Sequence, residues 1–205
     1  VRFREEQGNG FFAGGRGDVM TELNSIGLME LSSVAVGYVV EDAMLKASGV
    51  KLLVARTICS GKYLVAVAGD VAATEASVEA GVLVADGTLI EKRVIPRVHP
   101  SVFPAISLSV EIPHDRVGAL GIIETFSASS IIDVADAAAK TADVTLFRIH
   151  LAMALGGKGF VLMTGDVASV RAAVDAGSAM AGSEGILVSR AVIAAPRREL
   201  FREFI

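Results

Sequence analysis

Apolar and polar positions run along this chain in one order, twice over. In the second half, Val117 to Glu124 is apolar with an acidic end and reads as a strand. Ile131, Val134, Ala135, Ala138 and Ala139 follow at three-four spacing, a helical stripe over 131–140 with Ser129 or Ser130 as its cap. Strands are predicted at 144–149 and 160–163. Asp166 then caps a second helix over 167–181 that ends near Gly182, and a last strand covers 186–193. The first half predicts strands at 25–31, 51–58, 63–68 and 88–95, with helices at 34–48 and 71–85 and Asp70 in the place of Asp166.

The likeness extends to residues. Ile26-Gly27-Leu28-Met29-Glu30 returns as Leu120-Gly121-Ile122-Ile123-Glu124, and Asp42-Ala43 with Lys46 returns as Asp136-Ala137 with Lys140, all 94 positions on. Gly61-Lys62 and Gly69-Asp70-Val71 return 96 positions on, as Gly157-Lys158 and Gly165-Asp166-Val167. The copies therefore diverge between these blocks, and the second gains two residues there. Three segments result: an extension over 1–19, a first domain with its linker over 20–112, and a second domain over 113–205. The extension is polar and then glycine-rich, and is expected to be flexible, with Met20 as a candidate natural start. The linker from Pro96 to Pro113 is punctuated by four prolines around a short apolar stretch, Val102 to Ile106. A β-α-β-β-α-β order in each copy implies an α+β, ferredoxin-like fold: an antiparallel sheet with helices on one side.

Composition narrows the function classes. A length of 205 residues suits two domains, and a mean hydropathy of +0.57 asks for a tight core or for buried subunit interfaces. No apolar run reaches the roughly 18 residues of a membrane span, and the net charge of −4 gives no basic footprint for nucleic acid. One cysteine forbids a disulfide within the chain, and a reducing cytoplasm is the expected setting.

That cysteine, Cys59, lies in the divergent segment. It can be read as a small packing residue, as a nucleophile if one of His99, His114 or His150 stands beside it, or as a metal ligand. The two Gly-Lys pairs are not phosphate loops. Arg56 and Ala152 stand where the leading glycine is needed, and Tyr63 and Gly159 where Ser or Thr is needed. Both lysines are expected beside the loops or paired with carboxylates. Glu30 and Glu124 could be imagined as an acid–base pair, but duplication already explains both. No enzyme activity is expected.

The segments Ile26 to Glu30, Asp42 to Ala47 and Gly69-Asp70-Val71 resemble those of bacterial microcompartment shell domains. Ile95-Pro96-Arg97-Val98-His99-Pro100 resembles that family's closing segment, echoed as Ala195-Pro196-Arg197-Arg198. Two such domains in one chain resemble the tandem shell proteins, those of the propanediol-utilisation type most of all, with Ser60 a departure where proline is expected. The resemblance implies a homotrimer that mimics a hexamer, located in a microcompartment shell in the cytoplasm. It implies a central pore lined by Ser60, Gly61, Ala154, Leu155, Gly156 and Gly157. It implies one [4Fe–4S] cluster per trimer, ligated by Cys59 from three chains and serving electron transfer across the shell. Lys46, Lys140, Arg97 and Arg197 would lie at the tile edge against other shell proteins, with an enclosed redox enzyme as a further partner. Two alternatives stay open: a trimeric sensor or regulatory module with Cys59 inert, and a passive metabolite pore without a cluster.

Overall fold

A computed structural model describes residues 23–112, 117–152 and 155–201. The predicted extension over 1–19, His114 and Ala154 lie outside the described residues. The first domain runs β1 (Ser25–Leu31), α1 (Val34–Ala47), β2 (Lys51–Ile58), β3 (Lys62–Gly69), α2 (Val71–Val84) and β4 (Leu89–Pro96). A short helix, α3 (Val102–Ile106), lies in the linker. The second domain runs β5 (Ala119–Thr125), α4 (Ser130–Thr141), β6 (Thr145–Leu151), β7 (Gly159–Gly165), α5 (Val167–Ser183) and β8 (Leu187–Ile193). Each domain holds a four-stranded sheet in which every pairing is antiparallel, ordered β2-β3-β1-β4 and β6-β7-β5-β8. The expected fold class is what the chain adopts.

Side-chain alternation sorts the first sheet's residues between two cores. Met29, Leu31, Tyr63, Val65 and Val67 join Val40, Met44 and Val78 of the helices. Ile26, Leu28, Leu64, Ala66 and Ala68 belong to a larger cluster that includes Val98, Phe103, Ile131 and Ile132, and so runs through both domains. With both faces of β3 covered, Tyr63 to Ala68 is buried without a break, which is why its sequence reads as one apolar run. Small residues admit the helices. A Cβ on Gly177 of α5 would stand 2.7 Å from Ile123 Cδ1, and Gly81 occupies the same place on α2 against Met29.

Helix ends follow the duplicated residues. The Asp70 and Asp166 side chains accept backbone N–H bonds at the starts of α2 and α5, as predicted. The start of α4 differs from expectation. Ser129 has helical dihedrals and makes no side-chain cap bond, and Ser130 lies inside the helix. Ser127 Oγ accepts the Ser130 N–H instead, at 3.4 Å. Ser127 is the counterpart, 94 positions on, of Ser33, whose hydroxyl caps α1.

Candidate functional site

Two hairpin tips meet where the copies diverge. In the first domain, β2 and β3 pair as far as Ile58 and Lys62, which leaves a three-residue turn, Cys59-Ser60-Gly61. Gly61 has φ +74°, the left-handed position that a three-residue hairpin requires. A Cβ there would meet nothing within 4 Å, so conformation rather than crowding selects glycine. In the second domain β6 and β7 pair as far as Leu151 and Gly159. Ala152, Gly156 and Gly157 all have positive φ in the longer loop. That loop is closed by Ala152 N–H to Lys158 O at 3.1 Å and by Lys158 N–H to Leu155 O at 3.3 Å.

The first tip is fastened to the second. Cys59 is half-buried, and its Sγ donates to the Ala152 carbonyl at 3.1 Å. Three residues earlier, Arg56 donates from Nη2 to the Leu151 carbonyl at 2.9 Å. Burial pulls the Arg56 guanidinium down from its ordinary value, and its Nε finds no hydrogen-bond partner among the described residues. Arginine stays charged even so. Two successive carbonyls of the second domain thus take donors from one hairpin of the first.

Lysines flank both tips. Lys62 Nζ lies 2.7 Å from Glu30 Oε1, and Lys158 Nζ lies 2.9 Å from Glu124 Oε1. Each acid is used by its own lysine, Lys62 at the start of β3 and Lys158 just before β7, so duplication made two ion pairs. The two described histidines, His99 and His150, have structural surroundings. His150 is buried and stacks on Phe160 with centroids 4.9 Å apart, and His99 Nδ1 lies 2.8 Å from Ser101 Oγ.

The residues expected at tile edges are on the surface. Lys46 reaches Asp42 at 2.6 Å on an exposed face of α1, and Lys140 reaches Asp136 at 2.6 Å on α4. Asp136 also accepts the His99 backbone N–H at 2.7 Å. Lys140 and His99 line a shallow, open recess of 330 Å³ at the end of α4. Arg97 and Arg197 are exposed.

Sequence reasoning missed the joint between the domains. Arg93 of β4 donates from Nη1 to Asp133 of α4 at 2.6 Å and from Nε to Glu91 at 2.8 Å, with Nη2 3.4 Å from Glu184. Burial raises the Asp133 carboxyl above its ordinary value although Arg93 pulls the other way, and the neighbouring acids hold the Arg93 guanidinium up against its own burial. The signal that could have found this joint is a failure of the repeat. Register places Ala191 in β8 where Arg93 stands in β4, since they pair with Ile122 and Leu28 respectively. The 94-residue offset likewise puts Val39 where Asp133 stands.

The same comparison shows two faces with different surroundings. On α4, Ile132 is fully buried; on α1 its counterpart Tyr38 is 62% exposed and Val39 is 54% exposed. Past β4, Val102 is fully buried; past β8 its counterpart Leu200 is 52% exposed. That equivalence rests on matching backbone bonds, Val102 N–H to His99 O and Leu200 N–H to Arg197 O.

Could the residues present hold an iron–sulfur cluster? Among the described residues no group of three or more His, Cys, Asp or Glu stands close enough to hold a metal ion. The chain offers one thiol, at a hairpin tip with open space around Gly61. A soft thiolate is the right donor type for iron–sulfur chemistry. One thiol per chain could ligate such a cluster only together with thiols supplied by other copies.

Fold and surfaces together define a duplicated α+β protein with an internal domain joint, whose counterpart faces on α1 and past β8 are exposed in the single chain. The BMC domain profile matches residues 25–98 and again 119–196, and the chain belongs to that family, in its tandem-domain form. It is 42% identical to the bacterial microcompartment shell protein PduT of Citrobacter freundii, over 88% of this chain and 97% of that one. Against the shell protein EutM of Salmonella typhimurium it is 41% identical, over 42% of this chain and 88% of the relative, the extent of one domain. A microcompartment protein from Desulfitobacterium hafniense shares 48% identity and superposes with a TM-score of 0.85, covering 88% of this chain and 99% of that one. Among the described residues no helix is long and apolar enough to cross a membrane.

Proposed function

We propose that three copies of this chain close head to tail into a six-domain tile of a microcompartment shell. The hairpin tips face its centre, where Cys59 of each chain holds one [4Fe–4S] cluster. The observation that carries the ring is the pair of bare faces. Tyr38 and Val39 on α1, with Leu200 past β8, leave exposed in one chain what the joint between its own domains buries. Joining α1 of one chain to the β8 side of the next would repeat the internal joint and bury both. Such a joint is heterologous, and it gives a closed ring when its rotation closes.

Around the ring the Cys59 tips alternate with the longer loops that carry Ala154, Leu155, Gly156 and Gly157. Arg56 positions one tip on the other through the Leu151 carbonyl, and Gly61 allows close approach to the axis. When bound, the cluster supplies one-electron transfer. To hold the cluster, Cys59 of each chain would ligate as a thiolate, and backbone N–H groups of the turn would supply hydrogen bonds to its sulfurs. Lys46, Lys140, Arg97 and Arg197 face neighbouring shell proteins at the tile edge. The chain serves as a building block and electron conduit rather than as an enzyme.

The test is solution mass together with iron, acid-labile sulfide and electron paramagnetic resonance on anaerobic protein, wild type beside Cys59→Ala. A trimer mass with about four irons per trimer, lost in the variant while the mass holds, is the expected result. A trimer without iron after anaerobic reconstitution leaves a passive tile. A monomer overturns the ring.

A further inference from the structure

The bare faces differ from the buried ones in chemistry as well as exposure. Inside the chain, the centre of the joint is ionic: Arg93 meets Asp133 at 2.6 Å, with Glu91 at 2.8 Å and Glu184 at 3.4 Å. At the corresponding positions of the bare faces stand Ala191, Val39 and Ser189, and only Glu184 keeps an acidic counterpart, Asp86. Gly87 and Gly185, which follow those two acids with φ of +71° and +69°, fix that last equivalence.

We infer that Val39 of one chain and Ala191 of the next meet across the ring where Asp133 and Arg93 meet within a chain, so that ionic and apolar joints alternate around the tile. The occupant of the α1 face is therefore the β8 side of a second copy, in one register. The inference rests on the ring reading and adds residues and register to it. An ion pair suits the joint that is made once, within a chain. Between chains, an arginine and a carboxylate would have to shed water at every association and re-form their geometry, which stabilises little over an apolar contact. Tyr38 beside Val39 supplies the large, rigid, partly polar side chain that interfaces favour.

The experiment transplants the ion pair. Val39 and Ala191 are both exposed in the single chain, so changes there leave the fold intact, which circular dichroism and an unchanged unfolding midpoint of the dilute monomer would verify. Trimer dissociation is read by mass photometry across a dilution series. Val39→Asp places an unpaired carboxylate in the joint and is expected to weaken the trimer at least about tenfold. Adding Ala191→Arg supplies the missing partner from the next chain, and V39D/A191R is expected to recover to within about threefold of wild type. If V39D dissociates like wild type, Val39 lies outside the joint and the inference falls while the ring stands. If the double variant is no better than V39D, the register is wrong. If the wild type is itself monomeric, the ring reading fails first and is recognised as such.

Discussion

Cys59 Sγ lies 3.1 Å from the carbonyl oxygen of Ala152 and donates to it. A thiol can do this and a thiolate cannot, so this contact and metal ligation are alternatives for the same sulfur. Serine at this position keeps an O–H donor for Ala152 but is a poor ligand for iron; alanine keeps neither. Cys59→Ser is therefore expected to hold the wild-type urea midpoint, and Cys59→Ala to lose up to about 1 kcal/mol. Both should lose iron and acid-labile sulfide. Iron that stays with the alanine protein would remove Cys59 from the site.

Tyr63 and Gly37 exchange size with their counterparts. In the first domain the buried Tyr63 ring covers Gly37, and a Cβ there would collide with it; in the second, Gly159 lies under Ile131. The Tyr63 hydroxyl reaches Glu41 at 2.6 Å, and burial together with that carboxylate pushes its pKa up. Gly37→Ala should cost about 1–3 kcal/mol by overpacking. Shortening the ring to leucine in the same chain should recover part of that loss, a coupling that a double-mutant cycle would measure. Costs that simply add would mean the two sites do not share their space.

How much of this was legible in the chain depends on where each signal lives. Strand and helix order could be read because the pattern is local and printed twice. Ser129, one of the two expected caps, holds the N-cap position of α4 but makes no side-chain bond there; Ser127, Ser129 and Ser130 are all capping residue types, and only the offset from Ser33 singles out Ser127 as the acceptor. Helix α3 read as linker because Pro104 sits in five residues, although the first turn of a helix tolerates it. The Cys59 tip could be found because the copies part company there. Its acceptor, Ala152, could not, since that contact depends on how two domains sit together. Arg93 and Asp133 hid for the same reason, although their replacement by Ala191 and Val39 is visible in the sequence.

The two edge lysines, alike in sequence, have unlike surroundings. Lys46 and Asp42 are both well exposed, so that pair contributes little, whereas Asp136 is largely buried and also receives the His99 N–H. Lys46→Asp should change stability by less than about 0.5 kcal/mol. Lys140→Asp should cost about 1–2 kcal/mol, because it sets a second acid against a shielded one. If both lysines face neighbouring tiles, the double variant keeps its trimer mass and no longer forms sheets by electron microscopy. Sheets that persist would take the lysines away from the tile edge.

Asp166 gives the chain an acid-sensitive helix cap. Its Oδ2 accepts the Ser169 hydroxyl at 2.6 Å, and its Oδ1 accepts the Ser169 and Ala168 N–H groups at 2.9 Å each. These bonds, the Ser169 hydroxyl foremost, hold the carboxyl below its ordinary value. A depressed folded-state pKa means that the charged cap stabilises fully above the unfolded value of about 4, and that this contribution fades as pH falls through the folded one. Asparagine also caps, but it carries no charge and does not titrate in this range. Asp166→Asn should therefore be less stable than wild type at pH 7, and the gap should narrow at pH 3. Asp166→Ala, with no acceptor at all, should lie below both at either pH. Urea midpoints for the three proteins at the two pH values decide it: a wild-type advantage over asparagine of equal size at pH 3 and pH 7 would mean that the charge contributes nothing.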